Sequence, residues 1–153
     1  MAQKYIDIAQ ELISKYNITV DTYSKCWGRM HAHVKQRKIC KWKPKNSAVA
    51  LFDLCHEIGH IETTKSSMKR AEEEYYATIW AIDRFKEYGI EIPEHILHVY
   101  QRYILQTIAR GKRRGGKTYF EMNIYKYAGI DKSIEEFKKE LDPRWARVIN
   151  DWV

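Results

Sequence analysis

Residues 48–60 read AVALFDLCHEIGH, and no other stretch of the chain limits the fold so tightly. Apart from Asp53 its first part is wholly apolar, which predicts a helix buried on most sides rather than one lying on a surface. Ser47 stands directly before it as an N-cap, and Lys43-Pro44-Lys45-Asn46 breaks whatever comes earlier. Into this apolar helix the sequence sets His56, Glu57 and His60. Positions i and i+4 of an α-helix lie on one face, about one turn apart, so the two imidazoles project from the same side. Gly59 costs about 1 kcal/mol in a helix interior relative to alanine, which implies that another element passes close beside it.

Two imidazoles one turn apart can offer their nitrogens to a single ion. Glu57, rotated round the helix by one residue, cannot easily join that pair but can reach a water on the ion's open side. Zinc lowers the pKa of a bound water to roughly 7, and a glutamate placed this way completes the deprotonation during attack on a carbonyl. The pattern therefore points to Zn2+ and to hydrolysis, with Glu57 as the catalytic base. The competing reading is a pair of core histidines satisfied by hydrogen bonds. The surroundings favour the metal: the apolar run buries the motif, a strand-like segment precedes it, and a carboxylate-rich helix follows.

A catalytic zinc normally takes three protein ligands and a water. The next helix offers Glu72, Glu73 and Glu74. Glu74 shares a face with Ala77, Thr78, Ala81 and Phe85, the apolar and hence buried side. It is the first choice for third ligand and Glu73 the second. The remaining glutamates of the run fit a solvated helix N-terminus, where the helix dipole favours carboxylates.

The rest of the chain predicts an α+β fold dominated by helices, in one domain spanning residues 1–153. Residues 3–16 place Tyr5, Ile6, Ala9, Leu12, Ile13 and Tyr16 at helical spacing, with Asn17 as the stop. Residues 26–42 read as a hairpin or small antiparallel sheet turning at Lys35-Gln36-Arg37. A helix from about Met68 to Tyr88 is closed by Gly89. Pro93 opens another, to about Arg110, with Ile96, Val99, Tyr100, Tyr103, Ile104 and Ile108 on its buried side. Residues 111–117 form a loop, and helices over 118–127, 133–141 and 143–152 complete the chain.

HEIGH, followed by Glu74-Tyr75-Tyr76-Ala77-Thr78-Ile79-Trp80-Ala81, resembles the ImmA/IrrE-like metallopeptidases, which are common in phages, integrative elements and their hosts. The resemblance covers roughly residues 48–93, including Gly89-Ile90-Glu91-Ile92-Pro93. It implies a compact zincin with a short sheet, and a protein substrate such as a repressor or other regulator. Carried over by position, it implies His56 and His60 as metal ligands, Glu57 as the base and Glu74 as the third ligand. Many relatives carry a Glu-Ala-Asn run in the second helix. Aligning Ala77-Thr78 to that Ala-Asn would put Tyr76 at the ligand position, whereas aligning on the glutamate keeps Glu74.

Other residues carry weaker signals. Asp53 lies one turn before His56 and could accept an imidazole N–H, or simply face water. His31 and His33 alternate on a strand, so they share a face and could bind metal or be ordinary surface histidines. Tyr75, Tyr76, His95 and His98 are candidates to hydrogen-bond an oxyanion, with no choice among them. Cys55 adjoins His56, but helix neighbours point apart, which argues against a Cys-His nucleophile pair.

The chain carries 27 Lys and Arg against 20 Asp and Glu, a net charge of +7. Its densest basic cluster is residues 110–117, RGKRRGGK, where glycines would let the backbone approach a phosphate. A solvated loop is the alternative, and the spacing is not that of a Walker motif. This leaves two competing readings: a binding module on a zincin fold that contacts DNA or a protein partner, and a SprT-like protease acting on DNA-bound proteins. The latter usually takes a third histidine and often a Cys-rich ribbon. Cys26, Cys40 and Cys55 include no Cys-x-x-Cys pair, which predicts neither a disulfide framework nor such a ribbon. Early charges at the N-terminus predict no signal peptide, and no segment is apolar enough to span a membrane. A cytoplasmic protein is the expectation; its oligomeric state is not encoded in any of these features.

Overall fold

The computed structural model describes residues 3–21, 30–113 and 122–128. It contains helices α1 (Lys4–Lys15), α2 (Ala48–Thr63), α3 (Arg70–Glu87), α4 (Glu94–Arg113) and α5 (Met122–Tyr127), and strands β1 (Thr19–Asp21), β2 (His31–His33) and β3 (Lys38–Cys40). Helix dominates, as the apolar periodicity predicts, and a small sheet precedes the HEIGH helix. Expectations for residues 26–29, 114–121, 133–141 and 143–152 lie outside the described residues. No helix among the described residues is long and apolar enough to cross a membrane.

The chain divides into two compact units, Met1–Met68 with Tyr76–Pro93, and Lys69–Tyr75 with Glu94–Val153. In the first, α1 buries Ala9 and Leu12 and stops at Asn17, whose φ of 52° is left-handed. Two bonds close the helix end, from Asn17 N–H to the Ser14 carbonyl (3.2 Å) and from Ile18 N–H to the Ile13 carbonyl (2.9 Å). This is a Schellman closure, for which asparagine is the usual substitute for glycine. α3 ends the same way at Gly89, with φ 63° and an Ile90 N–H bond to the Phe85 carbonyl (2.9 Å).

The strand order is β1-β3-β2. β2 and β3 pair antiparallel through a turn at residues 34–37, matching the predicted hairpin. The sheet is not purely antiparallel, however: β1 joins β3 in parallel, Val20 opposite Ile39. Three residues are too few for a periodicity to be read, and the strand forms because the Asn17 turn delivers Thr19 beside Arg37, where its N–H bonds the Arg37 carbonyl at 2.9 Å. The Arg37 guanidinium then ties this corner together, donating to the Tyr16 carbonyl (2.6 Å) and pairing with Glu62.

α2 packs on α1 and on strands β2 and β3. Ser47 caps it, its Oγ accepting from Ala50 N–H at 3.1 Å. Leu51, Phe52, Leu54 and Ile58 are all 2% exposed or less, each worth about 1.5–3 kcal/mol of burial. Burial on that scale, more than local propensity, holds the helix in place. Phe85 of α3 meets Phe52 edge to face at 5.3 Å.

In the second unit, Ile104, Leu105, Ile108 and Ile124 are buried, and the Tyr75 ring meets Tyr127 at 5.6 Å. Two expectations fail on α4. It runs to Arg113, so residues 111–113 are helical rather than loop: a single glycine costs about 1 kcal/mol, which a helix already bonded through its preceding turns can absorb. Val99 is 40% exposed. At 100° per residue it stands half a turn out of phase with Ile108, on the far side from the buried stripe.

Candidate metal centre

α2 presents His56 and His60 with ring centroids 4.7 Å apart and ring planes at 87°. Both are buried, at 3% and 7% exposure. The element that Gly59 predicts is α3. A Cβ on Gly59 would stand 2.6 Å from the Ala77 carbonyl oxygen and 2.9 Å from the Ala77 Cα, so only glycine lets the two backbones come this close.

The contact sets the register of α3 against the histidines. One residue beyond Ala77, Thr78 Oγ1 lies 3.2 Å from His56 Nδ1 and is fully buried. One turn earlier on the same unbroken helix is Glu74, 2% exposed. His56, His60 and Glu74 each bring a ligand atom to a common point, all within 4.8 Å of one another. Donors around a tetrahedral zinc, with bonds of about 2.0–2.2 Å, stand roughly 3.5 Å apart, so rotamer adjustments of about an ångström close this set on an ion.

The choice among the three glutamates is decided by where each carboxylate goes. Glu72 Oε1 accepts from the Lys69 N–H at 3.3 Å, at the start of the helix. Glu73 lies 3.5 Å from Arg70. Glu74 alone of the three joins the histidines. Its Oε1 pairs with Arg70 at 2.8 Å, and a carboxylate retains acceptor capacity on both oxygens beyond one such bond. Taking three polar groups out of water is expensive unless something compensates. Two imidazoles and one carboxylate could hold a divalent cation, which would offset that cost.

Thr78 adds what the sequence pattern did not. Were Nε2 of His56 to face a bound ion, Nδ1 would carry the proton and donate a hydrogen bond to Thr78 Oγ1. Such a bond fixes the tautomer and the ring orientation. The sequence places Thr78 on the buried side of α3, but nothing in its spacing shows that its hydroxyl meets an imidazole 22 residues away. Asp53, proposed from sequence for an imidazole N–H, is half-buried one turn before His56 on α2. Glu57 is half-buried on α2, one residue round from His56.

The neighbouring thiol is fully buried. Burial pushes Cys55 up to about 12, with Arg84 opposing, so it stays protonated at neutral pH. Among the oxyanion candidates, the Tyr75 hydroxyl accepts from Asn123 Nδ2 at 3.2 Å, His95 is exposed, and Tyr76 and His98 are half-buried. Of the basic cluster, residues 110–113 belong to α4 and residues 114–117 lie outside the described residues.

No protein-family model, curated protein or solved structure matches this chain. The functional reading therefore rests on the residues and their geometry.

Proposed function

We propose that the protein is a zinc-dependent peptidase in which His56, His60 and Glu74 hold the ion and Glu57 is the general base. The observation that carries this reading is the buried group of two histidines and a glutamate, with donor atoms within 4.8 Å, on a helix that also bears Glu57. Zinc held by these residues would supply Lewis acidity toward a carbonyl and would make water a better nucleophile near neutral pH. The Glu57 carboxylate takes the proton from the attacking water and returns it to the departing amine nitrogen. Thr78 keeps His56 in the tautomer that leaves Nε2 available. The resemblance to ImmA/IrrE-like proteins extends this to a protein substrate such as a repressor.

The test is metal content and hydrolysis in parallel. Elemental analysis is expected to find zinc in the wild type, and one ion per chain fewer in His56→Ala and in Glu74→Ala. Glu57→Gln is expected to keep the zinc and lose cleavage of a peptide library, with fragments read by mass spectrometry. Undiminished cleavage by Glu57→Gln refutes the mechanism. A wild type that holds zinc but cleaves nothing in the library, while a protein or DNA partner binds, marks the domain as a binding module.

A further inference from the structure

A second set of metal-binding side chains lies on the sheet, apart from the helix site. His31, His33 and Cys40 bring two imidazole nitrogens and a sulfur to within 4.8 Å of one another. The pairing of the strands produces this directly. His31 lies opposite Cys40 in the antiparallel ladder, and His33 opposite Lys38. Directly opposed residues project to the same face, as do residues two apart on one strand. His31, His33, Lys38 and Cys40 therefore share a face, and Ala32 and Ile39 take the other.

The two histidine rings stand 5.0 Å apart at 67°, close to the geometry of His56 and His60. Cys40 is fully buried and is not in a disulfide, whereas both imidazoles are half-buried. The charge of Lys38 is directed across the sheet, its Nζ 3.4 Å from Asp21 of β1. A buried cysteine alone is ordinary core material. Two imidazoles converging on it from the adjacent strand are not required by packing, because they place polar nitrogens where an apolar side chain would fill the space without desolvation.

We propose that His31, His33 and Cys40 form a second metal site, one that takes a zinc ion through a thiolate and two imidazoles. The thiol gives up its proton to solvent as the ion binds, because thiolate is the form that ligates. Three protein donors leave a fourth position for water or an exogenous ligand. The ion clips edge strand β2 to β3, so the site acts on the stability of the sheet and owes nothing to the peptidase reading.

Cobalt is the probe, because a thiolate bound to Co2+ gives a near-ultraviolet charge-transfer band that a site of two histidines and a glutamate cannot produce. The full-length chain titrated with Co2+ is expected to show this band. The Cys26→Ser, Cys55→Ser double variant and the Glu74→Ala variant should both retain it. Cys40→Ser should lose it and bind one fewer cobalt ion per chain. Cys40 is buried, so the His31→Ala, His33→Ala double variant at half-buried positions provides an independent check, with the same loss expected. No band in the wild type, or a band that persists in either the Cys40 or the double-histidine variant, overturns the proposal. Loss of peptidase activity in Glu74→Ala with the band intact separates the two sites.

Discussion

Adding one methyl group at Gly59 is the most discriminating perturbation of the helix pair. In an open helix, glycine to alanine gains about 1 kcal/mol of stability. Here the new Cβ would meet the Ala77 carbonyl oxygen at 2.6 Å and the Ala77 Cα at 2.9 Å, below the 3.0 Å that real Cβ contacts respect. The obstacle is backbone, so no side chain can rotate away, and α3 must retreat by about half an ångström or more. Overpacking of this kind costs roughly 1–3 kcal/mol, and a rigid obstacle belongs at the upper end. After the helix-propensity gain, Gly59→Ala should be destabilised by about 2 kcal/mol, a Tm lowered by roughly 4–8 °C for a chain of this size. The same retreat carries Thr78 and Glu74 away from the histidines, so zinc affinity should fall at least about tenfold. Chemical denaturation and competition with a chromophoric chelator measure the two effects. Gly89→Ala is the control: its φ of 63° makes alanine costly, by about 1–2 kcal/mol, but nothing lies within 4 Å and zinc affinity should not change. A Gly59→Ala protein as stable as the wild type, with unaltered zinc affinity, would refute the close approach of α3.

Two further outcomes are expected. Thr78→Val keeps the shape but removes the acceptor from His56 Nδ1, and zinc affinity should fall by roughly 10–100-fold while the helical circular dichroism spectrum is retained; an unchanged affinity would remove the threonine from the site. The Cys55 thiol is raised from its ordinary 9.0 to about 12 by burial, so the folded chain holds a proton that the unfolded chain sheds. Its stabilisation is complete below pH 9 and is lost as pH rises toward 12, at up to about 1.4 kcal/mol per pH unit, and Cys55→Ala should flatten that part of the stability curve. Equal slopes for the two proteins in urea denaturation across this range would show that the thiol is not held protonated by the fold.

The elements that the sequence makes legible are those whose signal is local. The α2 helix follows from an apolar run with a serine cap, α1 and α3 end where Asn17 and Gly89 stand, and the β2–β3 hairpin turns where polar residues interrupt the pattern. The two histidines of the motif share a face because a helix repeats every 3.6 residues, whatever surrounds it. Even the presence of a close neighbour was legible, since a glycine in a helix interior needs a reason. The buried stripe of α4 was legible too except at Val99, which the helix's own repeat sets half a turn from Ile108 and which is 40% exposed.

What only the tertiary structure decided is which groups meet across long separations. Three consecutive glutamates are chemically equivalent in the sequence. Packing of α3 on Gly59 turns Glu74 toward the histidines, while Glu72 bonds the Lys69 N–H and Arg70 reaches both Glu73 and Glu74. Thr78 reads as core until its hydroxyl is found against His56, and Cys40 has no partner legible in the sequence until the register of β2 on β3 sets it opposite His31. The parallel strand β1 belongs to the same class, because its partner β3 is the second strand of the hairpin, with β2 between them in the chain. A helix face is a property of the chain's own repeat, whereas a ligand set is a property of distances between segments. Those distances are fixed only when burial and backbone contact choose one packing.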